Sequence, residues 1–262
     1  MFHYTKAVLR IGAPLLATYF FTLKRWARHL EKYPREKRFV KFRKLFNNMS
    51  RALQVDITVF GQENIDKNRN YYMVCNHMSA YDPVPLISHF PMPLTFVGKK
   101  EIMKMPFIPT GMKVVEGVYL DRDNLRQSLK VMLHVEDDLK KGEKSWMIFP
   151  EGTRIRDQLL PVAEFHHGSF RPGMKAGVPI LPVAMYGTFR VLKKKPQFKR
   201  YPVYISFLKP IMPEDYAGVS TADVAKMAHD MIQREITYHL RPFDHKTMSE
   251  HKEKNYRFDK II

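Results

Sequence analysis

His77 and Asp82 stand where an apolar run ends, in Tyr71-Tyr72-Met73-Val74-Cys75-Asn76-His77-Met78-Ser79-Ala80-Tyr81-Asp82-Pro83. A histidine and a carboxylate can form an oriented general base. The carboxylate holds one ring nitrogen and the other stays free to take a proton. Spacing restricts how this pair can meet. Five residues of continuous helix turn through about 500°, which leaves the two side chains some 140° apart. The chain must therefore bend between them. Asp82-Pro83 reads as a helix start, since aspartate is a favoured N-cap and proline a favoured first helical residue. The run predicts a strand ending near Asn76, a tight loop carrying His77, and a helix beginning at Asp82.

An isolated His–Asp pair is more often a surface pair or a satisfied core histidine, so its company decides the matter. Downstream lie Gly117-Val118-Tyr119-Leu120-Asp121-Arg122, Phe149-Pro150-Glu151-Gly152-Thr153-Arg154 and Val178-Pro179-Ile180-Leu181-Pro182-Val183. In this order and at these distances, the stretches resemble the four blocks of the glycerolipid acyltransferases, the PlsC-type 1-acylglycerol-3-phosphate acyltransferase family. The resemblance covers roughly residues 55 to 210. Three features depart from the family pattern. Gly117 is one place nearer Asp121-Arg122 than expected, His166 stands where the family often has Lys, and Ile155 where Ser commonly follows Arg154.

The resemblance implies transfer of an acyl chain from a thioester, acyl-ACP or acyl-CoA, to the sn-2 hydroxyl of a lysophosphatidate acceptor, making phosphatidic acid. His77 would take the hydroxyl proton and Asp82 would fix the imidazole tautomer, as a carboxylate does in a hydrolase triad. No protein nucleophile, cofactor or metal is then expected. Glu151, Gly152, Thr153 and Arg154 resemble the acceptor-binding block: Gly152 allows close backbone approach and Arg154 can grip a phosphate bidentately. Lys99, Lys100 and Arg122 match further basic positions of the family. Asn76, Ser79 and backbone amides near Gly152 are candidate oxyanion donors. Acceptors such as glycerol 3-phosphate or another lysophospholipid fit the same chemistry. A different mechanism would make Cys75 an acyl-accepting nucleophile, but cysteines in apolar strands are usually buried and inert.

Elements must position these groups. Apolar stretches at Gln54–Phe60, Tyr71–Asn76, Leu94–Gly98, Gly117–Leu120, Trp146–Phe149, Val178–Tyr186 and Val203–Leu208 read as strands, with helices between several of them. Asn124–Lys141 has helical period, with Leu125, Leu129, Met132, Leu133 and Leu139 inward and Gly142 as its stop. Thr221–Leu240 is a last helix, burying Val224, Met227, Ala228, Met231, Ile232 and Ile236. Such alternation predicts an α/β fold with a mixed, largely parallel sheet flanked by helices. The expected organisation is a membrane-associating segment over 1–52, the acyltransferase domain over 53–242, and an aperiodic tail over 243–262.

Charge bears on partners. The net charge of +18 calls for a polyanionic one: nucleic acid, an anionic membrane surface, or phosphorylated substrates. Residues 1–52 hold thirteen Lys/Arg against two acids, a net of +11. Over residues 4–32, Val8, Ile11, Leu15, Tyr19, Leu23, Trp26 and Leu30 share one helical face and Lys6, Arg10, Lys24, Arg25, Arg28 and Lys32 the other. Pro14 should kink this helix. The uncharged run from Ile11 to Leu23 spans only about 20 Å as helix, short of a roughly 30 Å hydrocarbon core. With a second helix carrying Phe39, Phe42, Phe46, Met49 and Leu53, this predicts an N-terminal amphipathic two-helix motif seated in one leaflet. The protein would be peripheral (monotopic) on the cytoplasmic face of the cell membrane. The same amphipathic face could instead pack on the domain's own core. No nucleic-acid module is recognisable, and none is expected as partner. One cysteine excludes an internal disulfide framework and a cysteine-based zinc site.

Overall fold

Side chains along the strand Tyr72–Cys75 (β2) alternate between two apolar clusters. Tyr72 and Val74 enter one, Met73 and Cys75 the other, and all four are fully buried. A strand apolar on both faces needs cover on both. The protein, seen in a computed structural model that describes residues 12, 15–155, 162–192 and 200–252, supplies that cover as helices on either side of a seven-stranded sheet. The other strands are β1 (Val55–Phe60), β3 (Leu94–Lys99), β4 (Val118–Leu120), β5 (Ser145–Ile148), β6 (Ile180–Tyr186) and β7 (Tyr201–Phe207). Their order is β1-β7-β6-β2-β5-β3-β4. All neighbouring pairs run parallel except β6 and β7. The mixed, largely parallel α/β sheet expected from the alternation is present.

One face of the sheet is covered by α1 (Lys24–Arg28), α2 (Arg35–Ala52), α3 (Pro83–His89) and α4 (Ile108–Val114). They contribute Ala27, Phe39, Phe42, Leu86, Ile87, Met112 and Val114 to the cluster holding Met73 and Cys75. The opposite face takes α5 (Leu125–Lys141), α6 (Arg171–Ala176) and α7 (Thr221–Glu235). Val135, Leu139, Val224, Ala228 and Ile232 pack there with Tyr72, Val74 and Trp146.

Several expectations need correction. Residues 243–252 are no tail: they belong to α8 (Arg241–Lys252). Asp244 of this helix pairs with Arg190 (Nη1 to Oδ1 2.8 Å), both buried, and Met248 packs near Val55, Tyr201 and Val203. The alternation of charge and aromatic residues hid this helix, because its inward positions include that carboxylate. On α5, Leu139 is buried, but Leu125, Leu129 and Leu133 are exposed, Leu125 at 83%. The helix has a wider apolar arc than the short edge strand β4 and its neighbours can cover. On α7, Met227 is likewise exposed.

The N-terminal reading divides. Its start, with Pro14, lies outside the described residues, and from Thr18 the chain is a π-turn (Thr18–Leu23), α1, then a 3-10 turn (Leu30–Lys32). Leu23 is buried against the body and Tyr19 and Trp26 pack beside it, while Leu16, Phe20 and Phe21 stay exposed. The second helix, read as half of a membrane-seated hairpin, instead turns Phe39 and Phe42 into the core. No helix among the described residues is long and apolar enough to cross a membrane.

Candidate active site

β2 ends at Cys75, and the next residue fixes where the chain leaves the sheet. Asn76 is buried and pairs through its side chain with the backbone of Met185 on β6, accepting from N (2.8 Å) and donating to O (3.0 Å). It thus extends the ladder by one rung and presents His77 at the rim. His77 Nδ1 and Asp82 Oδ2 are 2.7 Å apart, the carboxylate fully buried and the imidazole side chain 19% exposed. The same Oδ2 accepts the amides of Met78 (2.8 Å) and Ser79 (2.9 Å). One oxygen therefore bends the loop and holds the ring. With Nδ1–H donating to Asp82, Nε2 is left as the acceptor.

Asp82 occupies the N-cap position of α3, as expected, but does not cap it. The first turn explains why. Pro83 and Pro85 carry no N–H, and the amide of Val84 between them donates to the Tyr81 carbonyl (2.9 Å). The donors an N-cap aspartate would normally satisfy are missing or already paired. Two prolines thereby release the carboxylate to turn back on the histidine.

Phe149-Pro150-Glu151-Gly152-Thr153-Arg154 leaves β5, the strand beside β2, and wraps the loop that carries His77. Phe149 stacks on the His77 imidazole, with centroids 4.0 Å apart and planes at 20°. Glu151 Oε1 accepts the His77 amide (3.0 Å), and the Ile155 amide donates to the His77 carbonyl (2.8 Å). Both backbone groups of His77 are held by this one block. Because the second bond uses backbone, isoleucine serves at 155 as well as the serine the resemblance led one to expect. Glu151 is buried rather than offered to a ligand. Burial pushes its carboxyl up to about 8, with the Asp82 charge adding to the rise, against the opposing hydrogen bonds from the His77 and Ala163 amides.

Gly152 has φ +68°, and a Cβ there would overlap the guanidinium of Arg122. Arg122 follows β4, two strands away from β5, so its side chain reaches across the rim to lie against the glycine. Thr153 and Arg154 are exposed on the turn that follows. Lys99 ends β3 beside β4 and Lys100 opens the turn that follows: Lys100 pairs with Asp121 (2.6 Å) and Asp123 (3.3 Å), and Lys99 with Glu101 (3.5 Å). The rim formed by the C-terminal ends of β2, β5, β3 and β4 thus gathers His77, Asp82, the Glu151–Arg154 turn, Lys99, Lys100 and Arg122. Crevices at the carboxyl ends of parallel strands are where ligands bind such sheets.

Two of the other sequence candidates are committed: the Asn76 amide donates to Met185 and the Gly152 amide donates to the Phe149 carbonyl (3.0 Å). The Ser79 hydroxyl accepts the Tyr81 amide (3.2 Å) and keeps its own O–H to donate. Cys75 is fully buried, and burial raises its thiol well above the ordinary range, which disfavours a nucleophilic thiolate. Two supporting residues stand in the sequence motifs without a role of their own. Phe149 reads there only as a strand end within its block, and Tyr81, whose hydroxyl lies 2.6 Å from Ser50 of α2, has none.

Comparison with known proteins gives the same outline. The chain is 28% identical to the 1-acyl-sn-glycerol-3-phosphate acyltransferase of Saccharomyces cerevisiae over 71% of its own length and 62% of that protein's. It is 32% identical to the enzyme of the same name from Haemophilus influenzae, over 62% of this chain and 66% of the other. It therefore spans less than two thirds of either relative. The crystal structure of the 1-acyl-sn-glycerophosphate acyltransferase PlsC from Thermotoga maritima has the same fold, with a TM-score of 0.72, 24% identity, and 88% and 93% of the two chains covered. The family model described as Acyltransferase matches residues 56–186, half of the chain. Since that span holds His77, Asp82, Arg122 and the whole Phe149–Arg154 turn, the site falls within one match, and the chain belongs to the Acyltransferase family.

Proposed function

We propose that this chain transfers an acyl group from a thioester, on acyl-carrier protein or coenzyme A, to the sn-2 hydroxyl of 1-acylglycerol 3-phosphate, forming phosphatidic acid and a free thiol. The observation that carries the reading is the 2.7 Å contact between His77 and a buried Asp82 on a rim with Arg122, Arg154 and Lys99. In the reaction, His77 Nε2 takes the proton of the acceptor hydroxyl as its oxygen attacks the thioester carbonyl carbon. Asp82 steadies the imidazolium that forms. The tetrahedral intermediate collapses with cleavage of the C–S bond, and the departing thiolate recovers the proton from His77. Arg154 and Arg122 hold the acceptor phosphate, Arg154 through its planar fork. The enzyme works seated on the cytoplasmic leaflet through the exposed part of its cationic N-terminal segment, so that a lysolipid reaches the rim sideways while the donor arrives from water.

The test is purified protein with lysophosphatidate and an acyl thioester, following thiol release and product mass. Equimolar thiol and phosphatidic acid are expected. Thiol release without a phosphatidic acid product, or acylation confined to glycerol 3-phosphate, would overturn the assignment of the acceptor.

A further inference from the structure

The turn between β3 and α4 carries Met103, Met105, Phe107 and Ile108, all exposed, with Met103 at 51% and Met105 at 47%. Isolated apolar side chains on a surface need no explanation, but a contiguous set does. This set is continuous with a second one. Phe107 packs edge-on against Tyr19 (centroids 4.7 Å), and Tyr19 against Phe20 (5.2 Å), which with Phe21 is exposed. The Tyr19 hydroxyl also meets Thr110 of α4 (3.2 Å), so the two segments form one surface. Phe107 is in left-handed backbone (φ 70°, ψ −31°), a conformation a bulky residue keeps only when its surroundings impose it. Phe107 stands between Pro106 and Pro109 with its ring on Tyr19, and the methionines on the preceding turn remain exposed.

We infer that this turn is a second membrane-contacting element: with Phe20 and Phe21 it enters the headgroup boundary of an anionic leaflet beside the rim that bears Lys99 and Lys100. The inference rests on the reading that the acceptor is a lipid drawn from the bilayer. Charge identifies the occupant. Between Leu16 and Arg28, and again between Ile102 and Val114, the sequence has no acid, yet it has Lys24, Arg25, Arg28, Lys104 and Lys113. An apolar patch bordered by cations suits a surface of anionic headgroups over acyl chains. It repels a second copy of a chain with net charge +18. Two unbranched methionines adapt to irregular apolar surroundings, and Lys24 lies over the Phe20 ring (4.8 Å), keeping its charge at the edge of the patch.

The experiment uses vesicles of equal parts phosphatidylglycerol and phosphatidylcholine. The paired change Met103→Gln/Met105→Gln keeps side-chain length and removes apolarity. It should lower vesicle partitioning about tenfold while leaving the melting temperature, and turnover of a dispersed short-chain lysophosphatidate, unchanged. A thiol-reactive fluorophore placed through Met105→Cys, with Cys75 buried and unreactive, should be quenched by brominated acyl chains. Unchanged partitioning of the pair would overturn the inference. So would an unquenched label accompanied by concentration-dependent dimers, which would make the patch a self-interface. Equal loss of turnover on dispersed and bilayer substrate would also overturn it, by making the turn part of the pocket. Wild-type protein that docks through this turn yet consumes no lysophosphatidate in any form would support the surface and refute the proposed reaction.

Discussion

Three donors converge on one oxygen of Asp82, so a single carboxylate sets both the loop path and the imidazole orientation. Asp82→Asn should accordingly do more than alter the tautomer: its amide cannot accept those donors as a carboxylate does, and turnover should fall together with order in the loop. His77→Ala removes only the base and should cost about 10²–10⁴-fold in turnover with the melting temperature retained; a variant keeping a tenth of the rate would deny His77 that role. Glu151 gives a sharper contrast. With its carboxyl raised to about 8, it is largely protonated near neutrality, so Glu151→Gln should keep most activity while Glu151→Ala, which frees the His77 amide, should not. Because folding raises this carboxyl from 4.5, its contribution to stability is complete below about 4.5 and is lost as pH rises toward 8. Melting curves of wild type and Glu151→Gln should diverge over that interval, and parallel curves would contradict it. Gly152→Ala should displace Arg122, raising KM for the phosphate-bearing acceptor about tenfold or more with a smaller change in kcat. The His–Asp pair was legible from five positions of spacing and one proline. The inward turn of Glu151 was not, because a carboxylate beside Gly-Thr-Arg gives no sign of which way it points.

Among the elements, α2 is tied to the body by charge as well as by Phe39 and Phe42. Arg35 pairs bidentately with Glu116 (3.1 and 3.0 Å), Arg38 joins the same carboxylate, and Lys144 approaches it from β5's start (2.9 Å). Burial pushes the Glu116 carboxyl up, but the hydrogen bonds from Arg35, Lys144 and Arg38 outweigh it and hold the group at about 2. Folding lowers this carboxyl, so its stabilisation is present above about 4.5 and lost as pH falls toward 2. Glu116→Gln should destabilise the protein at neutral pH by about 3 kcal/mol and flatten its acid limb, as urea titrations along pH would reveal. An unchanged acid limb would mean the cluster is ornamental. Nothing in the order of residues announces this cluster, since Arg35, Glu116 and Lys144 lie on three separate elements. The helices themselves were readable from their apolar period. Which arc of α5 would face the sheet was not, because period gives the width of an apolar face but not the width of what it meets.

The whole molecule closes on a pairing between distant parts of the chain. β1 is one of the sheet's two edge strands, with β7 as its neighbour, from Val55 opposite Tyr201 to Phe60 opposite Ser206. Parallel pairing across such a separation forms late, after loop-closure entropy has been overcome. In refolding with pulsed hydrogen exchange, the amides of Asp56 to Val59 should gain protection after those of Met73 and Met147; simultaneous protection would refute the order. The buried Arg190–Asp244 pair adds α8 beside this last seam. The same geometry has a meaning for biogenesis. A ribosome delivers β1 long before β7, and throughout that interval Leu23 and Phe39, which the finished body covers, lack the sheet against which they will pack.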